Sequence, residues 1–351
     1  MGLLSVGRVF FVHRVGRVLS DPADTRGKTA LVARGWIGAA LAFAAAAVLL
    51  PFVGPSTLEL GRLMARAEPD WSILVQLRLS RTLLGLFGGA ALALGGSVFQ
   101  SMLRDALATP YTLGVSSGAS LGAVIAIASG WHLAVGVPGI WAGALGGAAV
   151  VLIFVVMAAT RQRQVSAFGL LLAGVATNSV CSALILLVHG LSGMAQSFAI
   201  SRWLIGSLDA IEYPTLSAFI TVVTVTALLV VRRARQWNLL AVGESWAGTR
   251  GTDVPRLMLF GYVGASLLAA ATVALMGPIG FVGLVVPHLV RTRISADDRV
   301  LMPCSFFLGG TLLASCDALG RFVLAPAEVP AGVITACIGG PYLIWLIRRR
   351  S

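Results

Sequence analysis

Long apolar stretches separated by short polar segments run along nearly the whole chain. A helix that crosses a bilayer needs about 20 residues, and most of these stretches approach that length. The pattern predicts ten spans: Gly35–Val53, Thr82–Leu103, Leu113–Ser129, Pro138–Ala159, Ser166–Val188, Tyr213–Val231, Arg256–Met276, Pro278–Val290, Leu301–Leu319 and Ala331–Ile347. The eighth is short, so we expect a broken or partly re-entrant helix there, surrounded by protein or by a water-filled cavity.

Basic residues sort to one side of these spans. If the N-terminus lies in the cytoplasm and the spans alternate, the outer connections hold only six of the 26 Lys and Arg residues: Arg62, Arg66, Arg78, Arg81, Arg202 and Arg321. Such an excess of inner basic residues is the positive-inside signature. We therefore predict that both termini are cytoplasmic, with an N-terminal arm over residues 1–34 that carries no signal peptide. A ten-helix transmembrane domain follows over residues 35–351.

Composition agrees with an all-α integral membrane protein. The chain is 57% hydrophobic and only 11% charged, whereas soluble domains carry roughly 25% charged residues. The formal charge of +12 would suggest nucleic acid for a soluble protein. Here the arginines lie at the ends of apolar spans, where they meet lipid headgroups, so we expect membrane lipid and no nucleic acid as a partner. The four cysteines lie in apolar stretches without metal-ligand spacing, so we expect buried packing residues and no metal site.

Glycines recur at four-residue spacing within several spans. Three series show this spacing: Gly85 and Gly89; Gly114, Gly118 and Gly122; and Gly139, Gly143 and Gly147. Small residues at this spacing let helix backbones approach closely in a membrane. We expect tight packing within the chain, with a dedicated dimer face as the alternative.

Catalytic and ion-coupling chemistry is missing from the predicted spans. No carboxylate falls in the middle of a span, which argues against a carrier driven by protons or sodium, because such carriers hold the coupling ion on buried carboxylates. The run from Arg26 to Thr29 ends like a phosphate-binding loop but has Pro22 where that motif needs glycine. We predict no enzymatic activity and no cofactor bound by this chain. His288 is the intramembrane candidate for function, with a structural hydrogen-bonded role as the alternative.

Two connections are long enough to serve as docking elements. Pro55–Arg81 is predicted to lie outside, and Gln236–Pro255 to lie inside as a short helix, Leu239–Ala247, followed by the glycine-rich run Gly248–Gly251. The second connection suggests a cytoplasmic partner. Small polar side chains in the spans suit the passage of a large solute without tight binding, and the candidates to line its path are Gln100, Ser116, Ser117, Thr177 and Asn178.

Several sequence blocks, taken in order, resemble one known family. They are RLSR at 78–81, GGAALALGG at 88–96, LGVSSGA at 113–119, LLAGVA at 171–176, WLIGSL at 203–208, GPIGFVGLVVPHLVR at 277–291, PAEVPAGV at 326–333 and GGP at 339–341. From about Gln76 to the C-terminus the chain is similar to the FecCD-type permeases of ATP-binding-cassette importers for iron siderophores, haem and vitamin B12.

This resemblance implies a type II importer permease in a bacterial inner membrane. Two permease subunits, identical or paralogous, would surround a central path. Two ATPase subunits beneath them would bind ATP and Mg²⁺, and a periplasmic or lipoprotein binding protein would deliver the cargo. An ion-coupled carrier or channel, and a membrane enzyme, are the alternatives from other classes.

The resemblance also assigns candidate sites on both faces. It implies that Arg78, Arg81 and Arg321 hold carboxylates of the binding protein on the outer face, since guanidinium groups bind carboxylates bidentately. The alternative role is anchoring at the membrane interface. It implies that an inner coupling segment, within residues 236–255, contacts the ATPase; the alternative is a solvated amphipathic loop. The coupling residues are Val242, Gly243, Glu244, Arg250 and Gly251.

The cytoplasmic gate departs from the family pattern. Relatives commonly read R-N-P-L-A-D/E-P after the second span, whereas this chain has Asp105 for the asparagine and Ala106 for the first proline. Asp105 either repels an anionic cargo or pairs with Arg104. The gate candidates that the resemblance gives are Asp105, Leu107, Ser166, Ala167 and Phe168.

Overall fold

The computed structural model describes residues 25–54, 59–131, 139–161, 164–323 and 327–348. These residues are predominantly helical. The helices are α1 (Thr25–Leu49), α2 (Leu60–Met64), α3 (Asp70–Ser72), α4 (Ser80–Leu103), α5 (Val115–Ala128), α6 (Gly139–Ala159), α7 (Ala167–Leu191), α8 (Met194–Leu204), α9 (Tyr213–Arg232), α10 (Ala234–Val242), α11 (Glu244–Thr249), α12 (Val254–Met276), α13 (Val282–Arg293), α14 (Asp298–Val323) and α15 (Ala331–Arg348). A 3₁₀ turn, Leu50–Phe52, follows α1, and a π-helical segment, Ile73–Leu79, leads into α4. Two short strands, β1 (Thr160–Arg161) and β2 (Gln164–Val165), pair antiparallel.

Each of the ten predicted spans coincides with a helix. Among the described residues, seven helices are long and apolar enough to cross a membrane: α1, α4 with the turns that precede it, α6, α7, α9, α12 and α14. The apolar helices α5 and α15 are shorter, and α13 has only 12 residues. The all-α membrane fold is therefore confirmed. Helix α1 begins at Thr25, within the predicted cytoplasmic arm, and residues 1–24 of that arm lie outside the described residues.

Helix α4 is the central element, with nearly every side chain from Ser80 to Met102 buried. It packs closely against α13 and α14, because its glycines contact the backbones of those helices. A Cβ on Gly89 would overlap the carbonyl of Gly309 in α14, and one on Gly96 would overlap the carbonyl of Gly283 in α13. Helices α5 and α6 meet in the same way, through Gly118, Gly122, Gly143 and Gly147. The prediction that the glycine series serve packing within the chain is confirmed for these contacts.

The connection between α4 and α5 folds back into the helical body. The Tyr262 hydroxyl of α12 donates a hydrogen bond to the Leu113 carbonyl, 3.3 Å away. A Cβ on Gly95 would lie 3.8 Å from Pro110, although Gly95 is about two turns from the inner end of α4. Gly114, at φ +82°, then starts α5. Non-helical backbone at this depth is tolerated because protein surrounds it, and it explains why α5 is short.

A second non-helical region lies between the C-terminal end of α12 and the start of α13. Gly277 and Phe281 have positive φ angles of +70° and +67°. The segment after α8 packs against this break, because the amide of Ser207 donates to the carbonyl of Met276 at 3.0 Å and the amide of Gly332 donates to the carbonyl of Gly206 at 3.2 Å. The expected broken eighth span is therefore confirmed as the half-length helix α13.

Candidate docking, coupling and gate sites

One buried carboxylate organises two of the three predicted docking arginines. Asp317 of α14 accepts two parallel hydrogen bonds from Arg81 of α4, at 2.9 and 3.1 Å, and lies 3.3 Å from Nε of Arg321. Asp317 and Arg321 are four residues apart on one helix, which places their side chains on the same face. Both are at least 95% buried. Sequence reasoning gave Asp317 no role, although its spacing from Arg321 was the available signal.

Arg81 also reaches the surface through a second carboxylate. Its Nη1 donates to Glu328 at 2.8 Å, and Glu328 is 48% exposed. The same guanidinium therefore joins a buried partner on one side and a solvent-facing partner on the other. Among these three residues, Glu328 is the one that an incoming protein could displace.

Arg78 belongs to the same electrostatic neighbourhood. Its Nη1 donates to the carbonyl of Phe52 at 3.4 Å, and its charge acts on Arg321 and on the buried Asp70. Gly54 packs against the guanidinium group of Arg78, and a Cβ on Gly54 would overlap that group. Arg78 and Arg321 are thus buried and engaged inside this chain. A docking role for the three arginines stays a prediction.

The predicted coupling segment consists of two short helices, where a single helix over Leu239–Ala247 was expected. Gly243 separates α10 from α11 in an extended conformation, with φ 164° and ψ 150°. The expectation was wrong because this glycine interrupts the helical hydrogen bonding. Glu244 begins α11 and Arg250 follows it, with its guanidinium 4.7 Å from the Trp246 ring.

Buried side chains fasten α10 to the membrane helices. Trp237 is fully buried, and its indole N–H donates to the carbonyl of Val230 at 3.1 Å. The amide group of Asn238 donates to Asp297 at 2.6 Å and accepts from the backbone N–H of Asp298 at 2.8 Å. The carboxylate of Asp298 accepts from Ser101 of α4 at 2.9 Å. Helix α10 is therefore tied to the C-terminal end of α4 and the N-terminal end of α14.

The gate turn after α4 makes its own contacts with the coupling segment. Arg104 ends α4 with φ +54°, and its guanidinium lies 3.0 Å from Glu244. Asp105 accepts a hydrogen bond from the backbone N–H of Leu107 at 2.9 Å. Of the two roles weighed for Asp105, pairing with Arg104 is not what the structure records; Asp105 closes its own turn, and Arg104 pairs with Glu244.

The second gate candidate is the start of α7. Ser166 caps this helix by accepting a hydrogen bond from the N–H of Gly169 at 2.9 Å, and Ala167 is buried behind it. Phe168 is 74% exposed, and Leu107 of the other gate turn is 61% exposed. Exposed apolar tips on the single subunit suit contact with a second subunit or with lipid, and the gate role stays a prediction.

The predicted path-lining residues are mostly enclosed by helices of this chain. The amide of Gln100 points toward the carbonyls of Gly283 and Leu284 at 3.4 and 3.5 Å. Ser116 is buried, and Ser117 donates to the carbonyl of Gly114 at 2.7 Å. Gln100, Ser116 and Ser117 are thus buried within this chain, and a path-lining role for them stays a prediction.

The two candidates on α7 lie differently. Thr177 is buried and donates to the carbonyl of Ala173 at 2.7 Å, whereas Asn178 is half-buried beside the break at Gly114. Asn178 is the more exposed of the two, and a path-lining role for either residue stays a prediction.

Among the described residues, no group of three or more His, Cys, Asp or Glu side chains could hold a metal ion. Cys181, Cys304 and Cys316 are buried, as expected of packing residues, but Cys337 is exposed on α15. His288 is buried on α13, with its ring centroid 6.3 Å from that of Tyr342.

A family model and curated relatives match the chain over most of its length. The model of the FecCD transport family matches residues 32–349, beginning well before Gln76. The hemin transport system permease protein HmuU of Yersinia pestis is 37% identical over 282 residues, 80% of this chain and 84% of the relative. The cobalamin import system permease protein BtuC of Halobacterium salinarum is 39% identical over 277 residues, 78% of this chain and 73% of the relative. The Fe(3+) dicitrate transport system permease protein FecC of Escherichia coli is 33% identical over 80% of this chain and 84% of the relative.

Solved structures match the fold as well. An inward-facing metal-chelate type ABC transporter aligns with a TM-score of 0.79 at 28% identity, covering 90% of this chain and 99% of that chain. PsaBC from Streptococcus pneumoniae aligns with a TM-score of 0.53 at 16% identity, a likeness of fold alone. Permease proteins are transport subunits and not enzymes. The chain therefore belongs to the FecCD transport family, as a multi-pass membrane permease of the ATP-binding-cassette importer type.

Proposed function

We propose that this chain forms the transmembrane path of an importer for a metal chelate, namely a ferric siderophore, haem or cobalamin. The observation that carries the proposal is the alignment with a metal-chelate type transporter over 99% of that transporter's chain. Relatives named for hemin, cobalamin and ferric dicitrate match at similar identities of 33–39%. The similar identities support a metal chelate as the class of cargo and favour none of the three chelates over the others.

The partners in this proposal are a second permease subunit, two ATPase subunits and a substrate-binding protein. ATP and Mg²⁺ bind to the ATPase subunits, and this chain binds no cofactor. The ATPase subunits contact α10 and α11, and closure of the nucleotide-bound dimer shifts the transmembrane helices as rigid bodies. The firm attachment of α10 through Trp237 and Asn238 supports this role, because a loosely held segment could not pass a displacement onward.

The proposed location is a bacterial inner membrane with both termini in the cytoplasm. The distribution of arginine supports this orientation. Four arginines flank the coupling segment, namely Arg232, Arg233, Arg235 and Arg256, and Arg250 lies within it. The charged cluster of Asp317, Arg81, Arg321 and Glu328 lies at the other end of α4. In this orientation it faces the outside, where the binding protein docks.

An ion-coupled carrier is the second candidate, and one observation favours it: Asp317 is a carboxylate buried within a transmembrane helix. Coupling ions are held by such groups in carriers. The contacts of Asp317 weigh against this role, since two guanidinium groups occupy its oxygens. We therefore retain the ATP-driven importer as the proposed function.

The experiment that tests the proposal is uptake by proteoliposomes containing the permease, its ATPase subunits and its binding protein. Labelled hemin, ferric dicitrate and cobalamin are offered separately, with ATP enclosed on the side of the ATPase. We expect ATP-dependent accumulation of one of the three. Accumulation that follows a proton or sodium gradient without ATP would favour the carrier instead.

A further inference from the structure

A single ion pair joins the coupling segment to the turn that leads into the helical body. Arg104 and Glu244 are 140 residues apart in the chain, and their side chains meet at 3.0 Å. Arg104 is the last residue before the turn, and Glu244 is the first residue of α11. Both side chains are partly exposed, at 29% and 40%.

The two helices of the coupling segment are attached unequally. Helix α10 is held by the buried Trp237 and by the Asn238 contacts with Asp297 and Asp298. Helix α11 buries Ala247, and most of its other residues are exposed. Gly243 lies between them in an extended conformation. Within the coupling segment, α10 is held by buried contacts with the transmembrane helices, whereas α11, which begins at Glu244, is mostly exposed.

The turn on the other side of the pair reaches deep into the protein. Leu107 is exposed at its tip, while Ala108 is buried immediately afterwards. The turn continues to Leu113, whose carbonyl is held by Tyr262 of α12. A displacement applied at Arg104 therefore acts on backbone that runs from the cytoplasmic surface to the interior.

We propose that the Arg104–Glu244 pair is the link through which a movement of α11 reaches the gate turn of residues 105–114. This inference rests on the proposed function, because the movement originates in the ATPase subunits. Partly exposed ion pairs contribute little to stability, so the pair acts by positioning the turn and not by holding the fold together. Each partner is a positioning residue.

The test uses the complex with its ATPase subunits and a reporter cysteine at the gate. The background is Cys337→Ser, because the other three native cysteines are buried. Leu107→Cys is labelled with an impermeant maleimide, with and without a non-hydrolysable ATP analogue. The variants are Arg104→Glu, Glu244→Arg and the double charge swap, and the ATPase rate of each is measured alongside.

We expect the nucleotide to change the labelling rate several-fold in the reporter protein. Arg104→Glu removes that change while ATP hydrolysis continues, Glu244→Arg removes it as well, and the double swap restores it. The matched control is Arg256→Glu, which breaks the exposed Arg256–Asp253 pair in the same connection and leaves the response intact. If a reversal prevents assembly, Glu244→Gln carries the same expectation.

Two results would overturn the link: single reversals that keep the full nucleotide response, or a double swap that responds no better than the singles. A failure of the proposed function looks different. In that case the reporter protein with an intact ion pair gives no nucleotide-dependent labelling at all, and the complex shows no ATP-driven uptake.

Discussion

Asp317 is the residue on which the outer charge cluster depends. Its oxygens face Arg81 and Arg321, and the charge of Arg78 also acts on Arg321. Without this carboxylate, like charges would be left close together in a largely buried site. The carboxylate therefore keeps the arginines in place whether or not a binding protein is docked.

Asp317→Ala is predicted to destabilise the protein by about 3–5 kcal/mol, because it leaves buried guanidinium charge uncompensated. The thermal midpoint of the detergent-purified protein measures the effect. Replacing Asp317 together with one of its two guanidinium partners, as Asp317→Leu with Arg321→Met, should recover part of the loss, because Arg81 keeps Glu328 as a partner. Equal stability of Asp317→Ala and the parent protein would refute the structural role.

Glu328 should behave in the opposite way, because it is half exposed. Its pair with Arg81 is expected to contribute about 0–1 kcal/mol to stability. If Arg81 docks the binding protein, Glu328→Gln removes a competing carboxylate and strengthens docking by up to about fivefold. Titration of the reconstituted permease with its binding protein measures this affinity. A weakened complex would indicate that Glu328 itself contacts the partner favourably.

At the scale of elements, glycine contacts decide how closely the helices pack. In α4, Gly96 faces the backbone of α13, so Gly96→Ala forces the two helices apart. Overpacking of this kind costs about 1–3 kcal/mol. Gly146→Ala on α6 is the matched control, because a Cβ there meets nothing within 4 Å. We expect a lower thermal midpoint for the first variant only; equal midpoints would contradict the close α4–α13 contact.

The sequence predicted the elements well where the pattern was periodic and long. The ten spans, the short eighth helix and the glycine contacts between α5 and α6 could be read from apolar runs and four-residue spacing. The split of the coupling segment at Gly243 could not, since glycine in a helical pattern is compatible with continuation or with a break.

Ion pairs between residues far apart in the chain also could not be predicted from the sequence. Asp317 and Arg321 share a helix face and were readable from their spacing, but Arg104 and Glu244 meet only because α10 is anchored against α4 and α14. The path-lining candidates stay a prediction for a related reason. Small polar residues are equally suited to helix contacts and to a solvated path, so composition alone does not separate them.

At the scale of the whole molecule, this permease has two ends with different chemistry. One end of α4 carries the arginine cluster around Asp317, and the other end carries the ion pair between Arg104 and Glu244. The buried helix α4 thus connects these two charged sites. In the proposed function, the ATPase subunits supply the driving force at the second of these ends.

The most direct test of this account compares two vesicle preparations that differ only in the ATPase subunits. Both contain the permease and receive binding protein loaded with the transported chelate, and ATP is supplied to the cytoplasmic face. The account predicts accumulation of the chelate only in vesicles that contain the ATPase. Accumulation at a similar rate in vesicles that hold the permease alone would contradict it.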